Sequence, residues 1–134
     1  MKTMDTLLRS ELPLPLLGRG KVRDIYAVGN DRLLIVTTDR LSAFDVVLPN
    51  PIPFKGQVLT QISAFWLEYF SDIIDHHLLT IDLDQMGLST EVLKNYRSQL
   101  EGRTMLVKKA RPFALECIVR GYVTGSGWKD YLST

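Results

Sequence analysis

The chain has 134 residues, of which 46% are hydrophobic and 23% are charged, a composition typical of one folded domain rather than a disordered chain. Its 16 basic and 15 acidic side chains give a formal net charge of +1, so no overall field favours nucleic acid or a membrane surface. The apolar runs are too short for a signal peptide or a membrane span. Cys117 has apolar neighbours, so we expect a buried thiol and a cytosolic protein.

The first third of the sequence predicts a β-hairpin. Residues 3–9 favour a short helix, which the following prolines end. Residues 21–28 and 33–38 favour strands, and Gly29-Asn30-Asp31 between them supplies turn chemistry. The run Leu34-Ile35-Val36 is apolar on both faces, which places the second strand inside a sheet rather than at its edge.

A long amphipathic helix is predicted over residues 57–74, after three prolines in residues 48–53 that require an irregular connection. Its apolar residues recur at steps of three and four and lie along one face. They are Val58, Ile62, Phe65, Trp66, Tyr69, Phe70 and Ile73. We expect this stripe to cover the sheet as core rather than to form a cofactor site.

The second half of the chain predicts further strands and two helices. Residues 78–83 favour a short strand and residues 90–100 an amphipathic helix with a Ser or Thr cap. Residues 105–109 and 113–119 favour strands, joined by a connection short enough for a hairpin or a hinge between lobes. Residues 127–132 resemble the first turns of a helix, where the sequence stops. We therefore expect an N-terminal lobe at 1–112 and the start of a second, truncated lobe at 113–134.

The first candidate site is Gly18-Arg19-Gly20-Lys21-Val22-Arg23-Asp24. Glycines allow close approach of the backbone to oxygen-rich ligands, amide groups bind phosphate, and cations neutralise its charge. The segment is not a P-loop, because no strand precedes it and no Ser or Thr follows the lysine at a helix start. A triphosphate site and a solvated basic turn are equally consistent with it.

The second candidate site is the loop Thr38-Asp39-Arg40-Leu41-Ser42-Ala43-Phe44-Asp45, which follows the second strand. Two carboxylates, a guanidinium and a hydroxyl fall within seven positions, a mixture that suits a zwitterionic or polyhydroxylated ligand. A loop whose Asp and Ser side chains satisfy its own backbone is at least as consistent with the pattern.

The third candidate site combines Lys108 or Lys109 with Glu116 and Arg120 on the next predicted strand. Alternation lets only one of the two lysines face a shared cleft. The group could form a structural ion pair or bind a phosphorylated substrate, and charge in so apolar a strand favours function. The pair His76 and His77 has no further ligand at metal spacing, so no metal ligand is assigned.

Three segments together resemble the SAICAR synthetase family. Residues 115–126, Leu-Glu-Cys-Ile-Val-Arg-Gly-Tyr-Val-Thr-Gly-Ser, are similar to a long family signature. Residues 20–26, Gly-Lys-Val-Arg-Asp-Ile-Tyr, and residues 38–45 resemble its N-terminal motifs, in the same order and with similar separations. A later acidic motif of the family lies beyond residue 134, so the resemblance covers the whole chain but only about the N-terminal half of the enzyme.

The resemblance implies an α+β fold, in which an antiparallel sheet lobe with one or two helices lies over a second lobe, as in protein kinases. It implies an ATP-dependent ligase of purine biosynthesis that uses ATP, Mg²⁺, L-aspartate and a carboxylated aminoimidazole ribonucleotide. The implied chemistry is phosphorylation of the imidazole carboxylate, followed by attack of the aspartate amine. It gives no role to nucleic acid or a membrane, it leaves a homo-oligomer or a missing C-terminal lobe open, and it places the magnesium carboxylates in the later part.

The resemblance also implies residue roles. The residues it places at ATP are Gly20, Lys21, Arg23, Lys109 and Glu116. The residues it places at the other substrates are Asp39, Ser42, Asp45, Arg120 and Ser126. Of these, Lys109 and Arg120 are the two implied catalytic residues.

Two other functions remain open from the sequence. One is a nucleotide-binding lobe without activity of its own. The other is a small β-rich nucleic-acid binder, which would bind through its basic residues and lose affinity steeply with salt.

Overall fold

The computed structural model describes residues 6–115 and 117–133. They form an α+β structure around a five-stranded sheet that is antiparallel throughout, in the order β1-β2-β3-β7-β6. These strands are β1 Leu16–Arg19, β2 Arg23–Val28, β3 Arg32–Thr37, β6 Leu78–Thr80 and β7 Thr104–Lys108. The remaining elements are the small hairpin β4 Ser42–Ala43 and β5 Val46–Val47, a 3-10 turn Leu83–Gln85, and helices α1 Lys55–Tyr69, α2 Thr90–Leu100 and α3 Ser126–Ser133.

The predicted hairpin is confirmed as β2 and β3. They pair in register from Arg23 opposite Thr37 to Val28 opposite Arg32. The placement of β3 inside the sheet is also confirmed, because β7 pairs with its other edge.

One face of the sheet carries the core. Leu34 and Val36 of β3, with Tyr26 of β2, are buried against α2 and the 3-10 turn. The predicted helix at 90–100 is confirmed in full, and its Ser89 cap accepts a hydrogen bond from the Val92 amide. Alternation along the strands turns Ile35 to the opposite face, as the sequence predicts.

Helix α1 lies on that opposite face against β3 and β7, but the expectation that its apolar stripe covers the sheet is wrong. The buried residues of α1 are Gly56 and Thr60, whereas Phe65, Trp66 and Tyr69 are exposed and contact one another. The small residues make the contact, because they let the helix backbone approach β3, while Trp66 lines a cavity between α1 and the sheet.

Three further expectations fail in the described residues. Strand β1 was not predicted, and it is a four-residue edge strand between prolines and glycines. The predicted strand at 113–119 is absent, because residues 113–115 and 117–119 are irregular and exposed, and Cys117 is exposed rather than buried. Of the predicted helix at 3–9, residues 6–9 are not helical and the rest lie outside the described residues.

Two further predicted elements are present with somewhat different bounds. The strand at 78–83 is confined to β6 and continues into the 3-10 turn, and the C-terminal helix is confirmed as α3. The lobe boundary near residue 112 stays a prediction. Within the described chain, the helices are too short and too polar to cross a membrane.

Candidate functional site

The first candidate site forms the turn between β1 and β2. The Gly20 amide donates to the Arg23 carbonyl at 2.8 Å, which closes a tight turn with Lys21 and Val22 at its tip. Lys21 is exposed. The basic turn predicted from the sequence is therefore a β-hairpin tip that projects from the end of the sheet.

Arg40 fixes the backbone of this turn through hydrogen bonds. Its guanidinium donates to the Gly20 and Lys21 carbonyls, each at 3.0 Å, and to the Leu8 carbonyl. It also donates to the Asp24 carboxylate at 2.9 Å. The second candidate segment thus contacts the first through the backbone of the turn.

Asp24 is fully buried and stays ionised. Burial by itself raises the pKa of its carboxyl, but hydrogen bonds from the Ser10 amide and hydroxyl and from Arg40 outweigh burial, so the net pKa lies below the ordinary 3.8. The Tyr26 hydroxyl lies 3.0 Å from the Ser10 hydroxyl. This network ties the N-terminal segment to the start of β2.

The tip of the β4–β5 hairpin contacts the turn. Asp45 forms an ion pair with Lys21, and the hydrogen bond from Lys21 lowers the pKa of the Asp45 carboxyl. Phe44 and Asp45 have φ values of 48° and 66°, a left-handed pair that hairpin turns ordinarily give to Asn and Gly. Ser42 lies two residues before this tip, on β4.

Asp39 lies inside the protein. Its carboxylate accepts hydrogen bonds from the Leu7 amide at 2.8 Å and the Gly56 amide at 2.9 Å, and it pairs with Arg103 at 2.9 Å. Both oxygens are therefore used within the chain. A direct contact between Asp39 and a substrate stays a prediction, and the structure gives this carboxylate the partners of a buried anchor.

Arg23 lines a cavity of about 380 Å³ between the sheet and α1. Lys55, at the start of α1, lies close enough to Arg23 to feel its charge. Desolvation and the charge of Arg23 lower the pKa of Lys55, and the charge of Asp39 partly opposes them. Cationic side chains therefore gather on this face beside the turn.

Lys109 lies at the opposite end of the sheet from Lys21. Its amide donates to the Asp31 carbonyl in the β2–β3 turn at 2.7 Å. Strand β2 separates the two positions by about 17 Å at the usual rise per residue. Lys108 and Lys109 are both exposed, so the choice of Lys109 as the cleft-facing lysine stays a prediction.

Arg120 and Ser126 lie together. The Arg120 guanidinium donates to the Ser126 hydroxyl at 3.1 Å, at the first residue of α3. Backbone amides at a helix start favour anions, so the pair occupies a suitable position for one. Glu116 lies outside the described residues.

No three His, Cys, Asp or Glu side chains come together as a metal site within 6–115 and 117–133. We assign no residue of this chain to Mg²⁺.

The residues that sequence reasoning missed are Ser10, Lys55 and Arg103, together with the role of Arg40. Arg40 lies in the second candidate segment, but its hydrogen-bond partners lie 16 to 32 residues away in sequence. A local pattern contains no signal for such contacts.

These features define an α+β lobe. A hairpin turn at one end of its antiparallel sheet carries a glycine and an exposed cation, which suit a phosphate, and an arginine lies at the start of the C-terminal helix. The SAICAR synthetase family model matches residues 16–134. The chain belongs to the SAICAR synthetase family.

Similar proteins support this membership. The chain is 61% identical over 121 residues to a phosphoribosylaminoimidazole-succinocarboxamide synthase of Maridesulfovibrio salexigens, covering 90% of this chain and 40% of that protein. It is 56% identical over 131 residues to the synthase of the same name from Geobacter sulfurreducens, covering 97% of this chain and 43% of that protein. The chain thus spans about two fifths of the length of these curated relatives.

Solved structures agree on the fold. SAICAR synthase from Saccharomyces cerevisiae, solved in complex with SAICAR, matches with a TM-score of 0.84 and 45% identity over 96% of this chain and 45% of that one. A type-2 SAICAR synthetase, solved with ADP, matches with a TM-score of 0.50 and 19% identity over 69% of this chain and 32% of that one, and shares the fold alone.

Proposed function

We propose that the chain is the ATP-side lobe and the first substrate-binding residues of an ATP-dependent ligase of de novo purine biosynthesis. The reaction joins L-aspartate to 5-amino-1-(5-phosphoribosyl)imidazole-4-carboxylate and gives SAICAR, ADP and phosphate. Family membership and the shared name of the relatives support this reaction. The observation in the molecule that carries it is the β1–β2 turn, where Lys21 stands exposed over a backbone fixed by Arg40.

ATP would lie at this end of the sheet, with its phosphates at Gly20, Lys21 and Arg23. The turn allows close approach to the Gly20 backbone, and the two cations neutralise phosphate charge. Lys109, at the far end of the sheet, and Glu116 complete the proposed ATP group. The separation of Lys109 from the turn suits a contact to a different part of the nucleotide.

The other substrates would contact Arg120, Ser126, Ser42 and Asp45, with Asp39 as the buried anchor of the second segment. Arg120 would bind an anionic group of the ribonucleotide through its planar, multidentate guanidinium. Catalysis of phosphoryl transfer depends chiefly on positioning and charge neutralisation. We propose that Arg120 acts on the reacting groups and that Lys109 contacts ATP away from its phosphates, while Mg²⁺ would use ligands outside the described residues.

The test is a coupled assay of ADP release with the longest natural form of the polypeptide that contains this chain. Release should require ATP, Mg²⁺, aspartate and the carboxylated ribonucleotide together, and release without one of these substrates would refute the reaction. Arg120→Ala should lower kcat/KM by a factor equivalent to about 2–5 kcal/mol, the cost of truncating one partner of an ion pair that the bound substrate buries. Lys94→Met is the control, because Lys94 is an exposed cation on α2, the helix that packs against the core face of the sheet.

A nucleotide-binding lobe without activity of its own is the second candidate, favoured by the two-fifths span relative to the curated relatives. Calorimetry with ATP and the ADP-release assay, both on the longest natural form of the polypeptide, separate the two. Binding of ATP without turnover supports the inactive lobe, and turnover refutes it.

A further inference from the structure

We propose that Arg40 is a positioning residue that sets the backbone of the β1–β2 turn to receive phosphate. The proposal rests on the proposed function, since the phosphate belongs to the nucleotide. It concerns the peptide groups of the turn rather than the side chain of Lys21.

Four consecutive carbonyl oxygens of the turn accept hydrogen bonds from the protein itself. Arg40 donates to Gly20 and Lys21, both the amide and the hydroxyl of Thr38 donate to Val22 at 2.9 Å, and the Gly20 amide donates to Arg23. Within the described part of the chain, the amides of Lys21 and Val22 make no such bond. The carbonyl oxygens of the turn are therefore occupied by donors from the protein, and the adjacent amides of Lys21 and Val22 stay available to a ligand.

This polarity suits an anion. A free carbonyl oxygen at the tip would repel phosphate, whereas successive free amides form an anion-binding concavity. Without Arg40, the Gly20 and Lys21 carbonyls would lose their fixed donor and could rotate outward toward the ligand. The arrangement thus removes a repulsion and presents an attraction with one side chain.

Arg40 does not serve as the phosphate ligand itself. Its side chain is only 11% exposed, and its guanidinium pairs with the fully buried Asp24 carboxylate. Its Nε and both Nη atoms donate to groups in the turn, the N-terminal segment and Asp24. Lysine has a single nitrogen and cannot reproduce that fixed fork of donors.

The Lys21 side chain behaves differently from its backbone. Its ammonium pairs with Asp45, and both side chains are more than half exposed. Such a pair is weak and exchanges readily. A phosphate group can replace Asp45 at Lys21, while the peptide groups stay in place.

The experiment compares Arg40→Lys with the parent in the longest natural form of the protein. We expect the KM for ATP to rise about tenfold, from the loss of charge-assisted hydrogen bonds to the turn, with the KM values for the other two substrates unchanged. Hydrogen exchange of the Gly20 amide, which donates to the Arg23 carbonyl within the turn, should become faster. Thr38→Val, which removes one donor to the Val22 carbonyl and leaves Asp24 intact, should raise the KM for ATP less, in the same direction.

Ser10→Ala is the matched control, because Ser10 binds the same Asp24 carboxylate but not the turn. It should lower stability and leave the KM for ATP unchanged. An equal rise of that KM in Ser10→Ala would reduce Arg40 to a general structural role and overturn the proposal, as would an unchanged KM in Arg40→Lys. A parent protein that does not bind ATP would instead refute the proposed function.

Discussion

The contact between α1 and β3 gives the sharpest test of the packing. A methyl group added at Gly56 would lie 2.2 Å from the Thr37 carbonyl oxygen and 2.9 Å from its carbonyl carbon. Both are backbone atoms of the central strand, so neither can move cheaply. Gly56→Ala therefore forces α1 away from the sheet by about 1.2 Å before ordinary contact at 3.4 Å is restored.

The size of the effect follows from three contributions. Replacing a helical glycine by alanine ordinarily stabilises by about 1 kcal/mol. Overpacking costs about 1–3 kcal/mol, and the shift breaks the 2.9 Å bond from the Gly56 amide to the buried Asp39 carboxylate, which costs about 1.5–3 kcal/mol. We expect a net loss of about 3 kcal/mol, a fall in Tm on the order of 10 °C.

Thermal and urea unfolding followed by circular dichroism measure this loss. Gly18→Ala is the control, because a methyl group at Gly18 has no neighbour within 4 Å and its stability should change by less than about 1 kcal/mol. If Gly56→Ala proved as stable as Gly18→Ala, the close approach of α1 to β3 would be wrong.

Three further changes test other parts of the structure. The folded pKa of the Asp24 carboxyl lies below the ordinary 3.8. Its contribution to the free energy of unfolding is therefore present above pH 3.8 and is lost as the pH falls through the folded pKa. Asp24→Asn should flatten this dependence of stability on acid pH in urea titrations. Phe54 has φ 63° and is half-exposed, so in Phe54→Gly the relief of about 1–2 kcal/mol of strain offsets the lost ring burial and the added chain entropy. The free energy of unfolding should change by less than about 1 kcal/mol, and a loss above about 2 kcal/mol would contradict the strain. Arg103→Met leaves the buried Asp39 without its ion pair and should lower the free energy of unfolding in urea by about 3–5 kcal/mol. Arg32→Met, at the exposed pair with Asp31, is the control and should lower it by less than about 1 kcal/mol. Equal losses in the two variants would refute the argument from burial.

The elements that the sequence predicts well are those fixed by local chemistry. The turn Gly29-Asn30-Asp31 and its branched flanks identify β2 and β3, and the Ser89 cap with an amphipathic period identifies α2. In both, the interactions that form the element lie within a few residues. The resemblance assigns Arg120 and Ser126 to one substrate group, and the structure places their side chains 3.1 Å apart; their contact with a substrate stays a prediction.

The failures share a physical cause. The period of α1 shows that one of its faces is apolar, but it does not show what covers that face; Gly56 and Thr60 make the contact instead. The apolar alternation at 113–119 likewise predicts a strand, but a strand needs a neighbour to complete its backbone hydrogen bonds. No neighbouring strand pairs with the described residues of that segment.

The same limit applies to the acidic residues of the motifs. Asp24 and Asp39 have the residue type of a ligand-binding carboxylate, yet both are buried and accept bonds from the N-terminal residues Ser10 and Leu7. Each also pairs with an arginine, so each charge is compensated inside the fold. A motif can therefore be specific because its residues hold a loop in shape, and under the proposed function the groups that face the ligand are the backbone amides and exposed cations of that loop. Side-chain type alone does not separate these two roles, and burial does.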